Sequence, residues 1–555
     1  MSTSSSRRPK RPASWVDFLV SFRWVLIVPV VLPLSFIFYQ WIRWRALLRC
    51  VLYGAPSEEK HQRAVKKVQE RVRARRPGRD GLICTARKPW LEVSMRNSEH
   101  KRSHRFEVDL SHLTTIVWVD TERKIMKCEP MVCMSEASAK VFGFGLAPQV
   151  LPELDDLTVG GCINGYGIEG TSHLFGLFAD SCVAYELVLA DGSLVRATAD
   201  NEYSDLFHAV PWSHGSIGLL VGAEIKLTPI KDYMKVTYTP VTGDLDEIAK
   251  RFQESFQVPA DGGQDKVPDF IESALFSDTT AVISTGKYAS REEAMKKGNV
   301  INEIGWWYKP WFYTIMQSAL KRGKFVEYVP SRQYHHRHTR SLYWEGALLI
   351  PFGNHPLFRF FLGWLMPPKV SLLKLTMTDS LRNYYTERHA CQDMLIPARK
   401  VPEAIKFVHE TFETYPLWMC PHRLPKRRMG TMLDCEPEYE KNMEPGDTEE
   451  AQMWTDIGIW TVPLPVLRNE VWNGVEATKS MEKWLRDNRS YQCLYAVSEQ
   501  SEEEFWQMFD RTLYDAVRKK YGAEHNFMSV YYKISKAKKG QVPRYSNSAI
   551  SNKTK

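Results

Sequence analysis

The run "WVLIVPVVLPLSFIFYQW", Trp24 to Trp41, contains no charged side chain. A helix rising about 1.5 Å per residue would carry this run nearly across the ~30 Å hydrocarbon core of a bilayer. Trp24 and Trp41 stand where interfacial aromatics belong. Core helices seldom stay uncharged for this length, so the run predicts a membrane anchor over residues 24–41. No small-residue cleavage site follows it, which favours a retained anchor over a signal peptide. Pro29 and Pro33 leave a second geometry open, a re-entrant hairpin. Basic residues flank both ends (Arg7, Arg8, Lys10 and Arg11 before; Arg43, Arg45 and Arg49 after), so counting positives does not orient the segment.

The chain has 555 residues, too many for one core, and its 44% hydrophobic and 25% charged content describes a globular protein of two or three domains. The formal charge of +9 is concentrated early, in "SSSRRPKRP" and "KHQRAVKKVQERVRARRPGR". Beside an apolar segment such clusters suit anionic lipid headgroups. No base-reading module accompanies them, so no nucleic-acid partner is expected. The ten cysteines form no C-x-x-C pair, which argues against a zinc ribbon or disulfide scaffold and predicts no metal.

The pattern divides the chain into a basic N-terminus and anchor (1–57), a first domain (58–230), a second α+β domain (231–487), a helical segment (488–535) and a disordered basic tail (536–555). "SEEKHQRAVKKVQERVRARR" reads as a helix with a narrow Val65, Val68, Val72 stripe, docked on the first domain. Short strands and turns follow. "SEASAKVFGFG" reads as a helix capped by Ser135. "YELVLADGSLVRAT" reads as a hairpin with a two-residue Asp191-Gly192 turn. Beyond Pro229, strands such as "TAVISTGKY" alternate with helices such as "VPEAIKFVHETFETY". The helical end "SEEEFWQMFDRTLYDAVRKKYG" is expected to pack back on the first domain.

"TVGGCINGYGIEGTSH", Thr158 to His173, contains a literal G-x-G-x-x-G. A dinucleotide fingerprint of that type needs a buried strand before it, a crossover helix after it and an acidic residue about 20 positions on. Here Glu153, Asp155 and Asp156 precede it, and the Asp-Gly hairpin follows with no room for a crossover. The glycines suit an extended loop whose bare backbone approaches a flat or phosphorylated ligand; tight turns between strands are the structural alternative.

The stretch "PELDDLTVGGCINGYGIEGTSHLFGLFADSCVAYELVLADGS" and the later "SDLFHAVPWSHGSIGLLVGAEIKLTP" resemble the FAD-binding domain of the vanillyl-alcohol-oxidase (PCMH-type) flavoproteins. "CTARKPWLEVSMR", "WWYKPWF", "YHHRHTRSLYWE", "IPFGNHPLFRFFLGWLMPPKVSLLKLT" and "EEFWQMFDRTLYDAVRKKYG" are similar, in order, to segments of the Δ24-sterol reductase family within that superfamily. The resemblance runs from the anchor to about Gly522.

It implies an α+β fold: a PCMH-type FAD-binding domain of two α+β subdomains, an α+β substrate (cap) domain and an N-terminal membrane segment. It implies FAD contacts from Thr158, Val159, Gly160, Gly161, Cys162, Ile163, Asn164, Gly165, Tyr166, Gly167, Ile168, Glu169 and Gly170. Thr85, Ala86 and Arg87 fall at the family's first pyrophosphate loop, and Gly215, Gly218 and Val221 where the backbone passes the flavin again. "TARKPW" has no histidine for a covalent flavin link, so noncovalent FAD is implied. The implied activity is NADPH-dependent reduction of a sterol side-chain double bond, at the endoplasmic reticulum membrane with the catalytic domains cytosolic.

An isolated alkene needs a proton as well as a hydride. The densest source of candidates is "YHHRHTRSLYWE". Read as a strand, it puts His336 and His338 on one face as proton donors, with His335 on the other and Arg337 or Arg340 free for a phosphate of NADPH. His422 and Arg423 are the next candidates. Two rival activities remain: an FAD-dependent oxidase of a lipid or sugar alcohol, and a membrane-anchored sterol-binding scaffold without turnover.

Overall fold

A computed structural model describes residues 9–12, 14–94, 105–257, 267–427, 429–444 and 446–535. The basic stretch 1–8 and the tail expected to be disordered at 536–555 lie outside the described residues. The architecture is α+β, built on two large antiparallel sheets.

The first sheet runs in the order Ile116–Asp120, Ile125–Cys128, Leu219–Pro229, Cys182–Val188, Leu194–Ala197, with Leu146–Pro148 also paired to Leu219–Pro229. Its hairpin differs from the expected one. Val188 pairs with Leu194, and the Leu189 amide donates to the Ser193 carbonyl, which leaves a three-residue loop, 190–192, instead of two. Gly192 closes it at φ +81°, a conformation that costs glycine nothing. The next helix also shifts: Met134–Val141 is capped by Cys133, not Ser135, because the Glu136 carboxylate reaches back to the Cys133 amide.

A parallel pair, Leu82–Thr85 with Arg105–Val108, forms a smaller unit beside this sheet. The helix Glu58–Arg73 docks there through buried Val65, Val68 and Val72, against Ile83, Phe106, Val108 and Val221. His61 anchors it, its two ring nitrogens 2.9 Å from Glu129 and 2.7 Å from Glu186.

The second sheet has eight strands: Phe325–Pro330, Tyr233–Thr242, Thr280–Ala289, Phe270–Ser277, Leu417–Pro425, Ala451–Thr461, Ala390–Pro397 and Tyr491–Gln492. The helix Thr512–Lys520 packs back on the helix Ser204–Ala209 beside the first sheet. There the Tyr514 hydroxyl lies 2.7 Å from Ser216 Oγ, and Lys520 pairs with Asp205.

Near the N-terminus the helical path is continuous. A π-helical stretch, Ile27–Val31, absorbs Pro29, and the helix continues over Leu32–Tyr53, so the chain does not fold back as a hairpin. The Trp24–Arg45 span is long and apolar enough to cross a membrane. One of its faces is nevertheless packed on protein: Ile27, Val31 and Leu32 share a core with Ile350, Phe358, Leu365 and Leu373. Polar clips reinforce that contact. Ser35 Oγ accepts from the Lys369 amide, and the Arg23 guanidinium donates to the Leu373 carbonyl and Thr376 Oγ1.

Candidate active site

A cavity of about 1030 Å³ lies between the two sheets. From the predicted glycine run, Thr158, Gly160, Gly161, Cys162, Asn164, Gly165, Tyr166, Gly167 and Ile168 form one wall. The other four expected contacts do not line it. Val159 and Ile163 are buried in the hydrophobic core, on the inner face of the helix Val159–Asn164. The Glu169 carboxylate turns away to Arg337, and Gly170 packs on the Phe270–Ser277 strand, its carbonyl accepting from the Ile271 amide.

Several of the glycines answer to protein packing as well as to any ligand. A Cβ on Gly160 would lie 2.8 Å from Pro130 Cβ, and one on Gly167 2.9 Å from Phe178 Cβ. Thr85, Ala86, Arg87, Gly215 and Gly218 also line the cavity, whereas Val221 faces the core under the helix Glu58–Arg73.

Arg87 carries the clearest signal for an anionic ligand. Its Nε is buried without a hydrogen-bond partner, while its terminal nitrogens reach the Leu91 carbonyl (2.9 Å) and Thr158 Oγ1 (3.4 Å). Burial pushes its guanidinium below its ordinary value, opposed by the charges of Glu92 and Asp156. A half-buried cation with a buried, unused donor beside a glycine wall fits a pyrophosphate. The residues present therefore fit FAD: Arg87 with the backbone of Thr158, Gly160 and Gly161 would hold its phosphates, and the group would supply the redox chemistry.

The opposite wall comes from the second sheet and the turns leading into it. Tyr343, Asp393, Trp460 and Tyr495 face the cavity, and Trp418 stacks behind Trp460 at 5.5 Å between ring centroids. Nearer the N-terminal helix, His389 Nε2 lies 2.9 Å from the Glu345 carboxylate. Burial alone would lower the His389 pKa, but Glu345 outweighs it and raises it.

The expected histidine proton donors are placed elsewhere. The segment is not a strand: Ser331–His335 is helical and turns follow, so alternation does not apply. Neither His336 nor His338 is among the residues lining the cavity. His336 Nε2 contacts Ser138 Oγ at 2.7 Å, and its Nδ1 lies 2.8 Å from Asp155. His338 Nε2 is 2.9 Å from Glu272, and its ring stacks on Tyr343 at 4.0 Å. Burial lowers the His338 pKa despite Glu272. His335 Nε2 meets the Tyr288 hydroxyl, and burial holds it neutral.

The arginines likewise have structural partners. Arg337 bridges Glu169 (2.9 Å) and Glu272 (2.7 Å), tying the glycine run to the second sheet, and Arg340 donates to the Gly305 and Trp306 carbonyls. His422 is buried, its pKa lowered by desolvation to about 4. Sequence reasoning missed Asp393, Asp456, Trp460 and Tyr495. No local motif marks them: strand pairing brings Asp393, Asp456 and Trp460 together, and Tyr495 joins them from the turn after Tyr491–Gln492.

The family model described as an FAD binding domain matches residues 91–198. The chain is 54% identical to the Delta(24)-sterol reductase of Pisum sativum, over 96% of this chain and 94% of that protein. It is 52% identical to that of Arabidopsis thaliana, over 96% and 95%. It is 40% identical to that of Homo sapiens, over 94% of each. With an FAD-binding domain matched and 40–54% identity over nearly the full length, the chain belongs to the Δ24-sterol reductase family of FAD-binding oxidoreductases.

Proposed function

We propose that this protein reduces the Δ24 side-chain double bond of a sterol, with NADPH as the electron donor and noncovalently bound FAD. The observation that carries the reading is one continuous cavity. It joins the Arg87 and glycine wall, suited to a dinucleotide, to an aromatic and apolar chamber large enough for a sterol. Bound FAD supplies the hydride. Arg87, with Lys88 beside it, neutralises phosphate charge. Tyr166, Trp460 and Tyr495 exclude water where the alkene must lie.

The cavity also reaches the N-terminal helix, where Arg23 lines it. Val370 and Leu373 line it, and Leu373 also packs on the N-terminal helix. A helix with one face clamped to a globular body is poorly placed to cross a bilayer alone. Its outer face exposes Val25, Leu26, Val30, Leu34, Ile37 and Trp41, and the helix Pro356–Leu362 with the turn after it adds exposed Leu357, Phe360, Phe361 and Trp364. We infer that these surfaces sink together into one leaflet, at the endoplasmic reticulum with the body cytosolic, and admit sterol directly from lipid.

Anaerobic visible spectra of detergent-purified protein test the reading. The flavin should bleach with NADPH and recover on adding a sterol with an unsaturated side chain. Bleaching without recovery would discard the substrate, and protein that takes up no FAD would discard the reading.

A further inference from the structure

The reductase reading leaves open which group protonates the alkene, and the sheet opposite the glycine wall offers one. Asp393, on Ala390–Pro397, pairs with Gly458, and Leu395 pairs with Asp456, on Ala451–Thr461. Asp393 and Asp456 are therefore diagonal neighbours on one face of the sheet. Carboxylate oxygens of both and the Cys493 thiol lie within 4.8 Å of one another. Both side chains are essentially inaccessible to solvent, and Asp393 borders the cavity.

Among the described residues neither carboxyl enters an ion pair. Their polar surroundings are the Tyr166 hydroxyl, which donates to Asp456 Oδ2 at 2.7 Å, the Tyr495 hydroxyl and the Trp460 indole beside Asp393, and the thiols of Cys391 and Cys493. Asp456 Oδ1 and both Asp393 carboxyl oxygens are buried with no hydrogen-bond partner. Two buried carboxyls this close, with no cation, cannot both ionise.

We propose that Asp393, sharing a proton with Asp456, is the general acid of the reaction. The inference rests on the reductase reading. As hydride, with its electron pair, reaches one alkene carbon, the other carbon takes the proton: the Asp393 O–H bond breaks and a C–H bond forms. The carboxylate left behind lies beside the Tyr495 hydroxyl and the Trp460 indole and regains its proton from water after the product departs. Desolvation raises the pKa of both aspartates, and the proximity of Asp456 adds to the rise at Asp393. Both effects favour a proton held on the pair.

Other acids on the cavity are less suited. Glu153 accepts from the Tyr343 hydroxyl, which stands over it. His389 lies four residues along the strand from Asp393, toward the lipid-facing end, roughly 13 Å away at a rise of about 3.3 Å per residue. Tyr166, by contrast, belongs to the glycine wall itself and touches the pair.

The experiment compares full-length holoenzyme with Asp393→Asn, Asp456→Asn, Asp393→Glu and His389→Gln. Infrared difference spectra at neutral pH, before any substrate is added, should show a protonated-carboxyl carbonyl band that shifts in D2O and changes in frequency or intensity in Asp393→Asn and Asp456→Asn. In anaerobic stopped flow, sterol-driven flavin reoxidation in Asp393→Asn should fall by about 10²-fold or more relative to NADPH-driven reduction, with partial recovery in Asp393→Glu. Retained flavin absorbance and an unchanged Tm identify folded variants. Should Asp393→Asn fail that check, Asp393→Glu and Asp456→Asn carry the test. The proposal is overturned if the band is absent from wild type, if folded Asp393→Asn reoxidises within threefold of wild type, or if His389→Gln alone abolishes reoxidation. Wild-type flavin that no sterol reoxidises would instead refute the reductase reading, while the infrared band would still report the shared proton.

Discussion

The Tyr166 hydroxyl donates to Asp456 Oδ2 at 2.7 Å and so joins the glycine-rich wall of the FAD domain to the central strands of the second sheet. The same residue lines the cavity, its ring stacked 6.3 Å from Tyr495 and edge-on to Trp212. Cofactor wall and cap sheet are therefore coupled through one phenol. Tyr166→Phe should cost about 1–3 kcal/mol, since it leaves a buried carboxyl short of a donor. Chemical denaturation of the holoenzyme measures it; a variant as stable as wild type would mean that the bond is replaced by water.

Arg87→Gln should weaken FAD binding by roughly 10- to 100-fold, the range expected on losing a charge-assisted contact of about 1.5–3 kcal/mol. Flavin fluorescence during reconstitution of apoprotein reads the Kd directly. An unchanged Kd would remove Arg87 from the phosphate site.

Arg337 has no exposed side-chain surface and holds Glu169 and Glu272 together. Arg337→Met should destabilise by about 3–5 kcal/mol, because two buried carboxylates lose their counter-charge. Replacing Glu169 with Gln and Glu272 with Gln in the same protein should recover part of that loss. Thermal unfolding of the three proteins decides it, and no recovery would show that Arg337 acts through packing alone.

Stability should fall on the alkaline side through His61. Burial lowers its pKa, but hydrogen bonds to Glu129 and Glu186 outweigh that and raise it to about 9. A group whose pKa rises on folding contributes fully below its unfolded value, near 6.5, and loses that contribution as pH climbs through about 9. The contribution is on the order of 2–3 kcal/mol. Tm should decline between pH 7 and 9.5 in wild type and vary less in His61→Asn; parallel profiles would count against it.

Substituting Phe360→Ser, Phe361→Ser and Trp364→Ser together should reduce vesicle binding at least tenfold with the N-terminal helix intact, since each buried aromatic contributes about 1.5–3 kcal/mol. Flotation with liposomes is the measurement. Undiminished binding would leave the N-terminal helix as the whole anchor.

Local signals were legible where the chemistry is local. The uncharged run at 24–41 announced an apolar helix, the valine spacing at 65, 68 and 72 announced a docked face, and the glycine-rich run 158–170 marked a segment that lines the cavity in part. Those readings depend on the composition of a few successive residues, which a sequence displays directly. The Asp191-Gly192 turn was located but given one residue too few, because loop length is decided by which strand residues pair.

The proton-donor reading shows the limit of that information. Three histidines within four positions are conspicuous in a sequence, yet each is pointed by the local turns toward a carboxylate or hydroxyl away from the cavity. Asp393 and Asp456 are inconspicuous, 63 positions apart, and become neighbours only through the register of two antiparallel strands. The sequence by itself determined the family and the apolar N-terminal helix, because these follow from contiguous residue types. Only the tertiary structure decided which polar groups share the desolvated cavity, because burial and pKa depend on long-range strand pairing that no local pattern encodes.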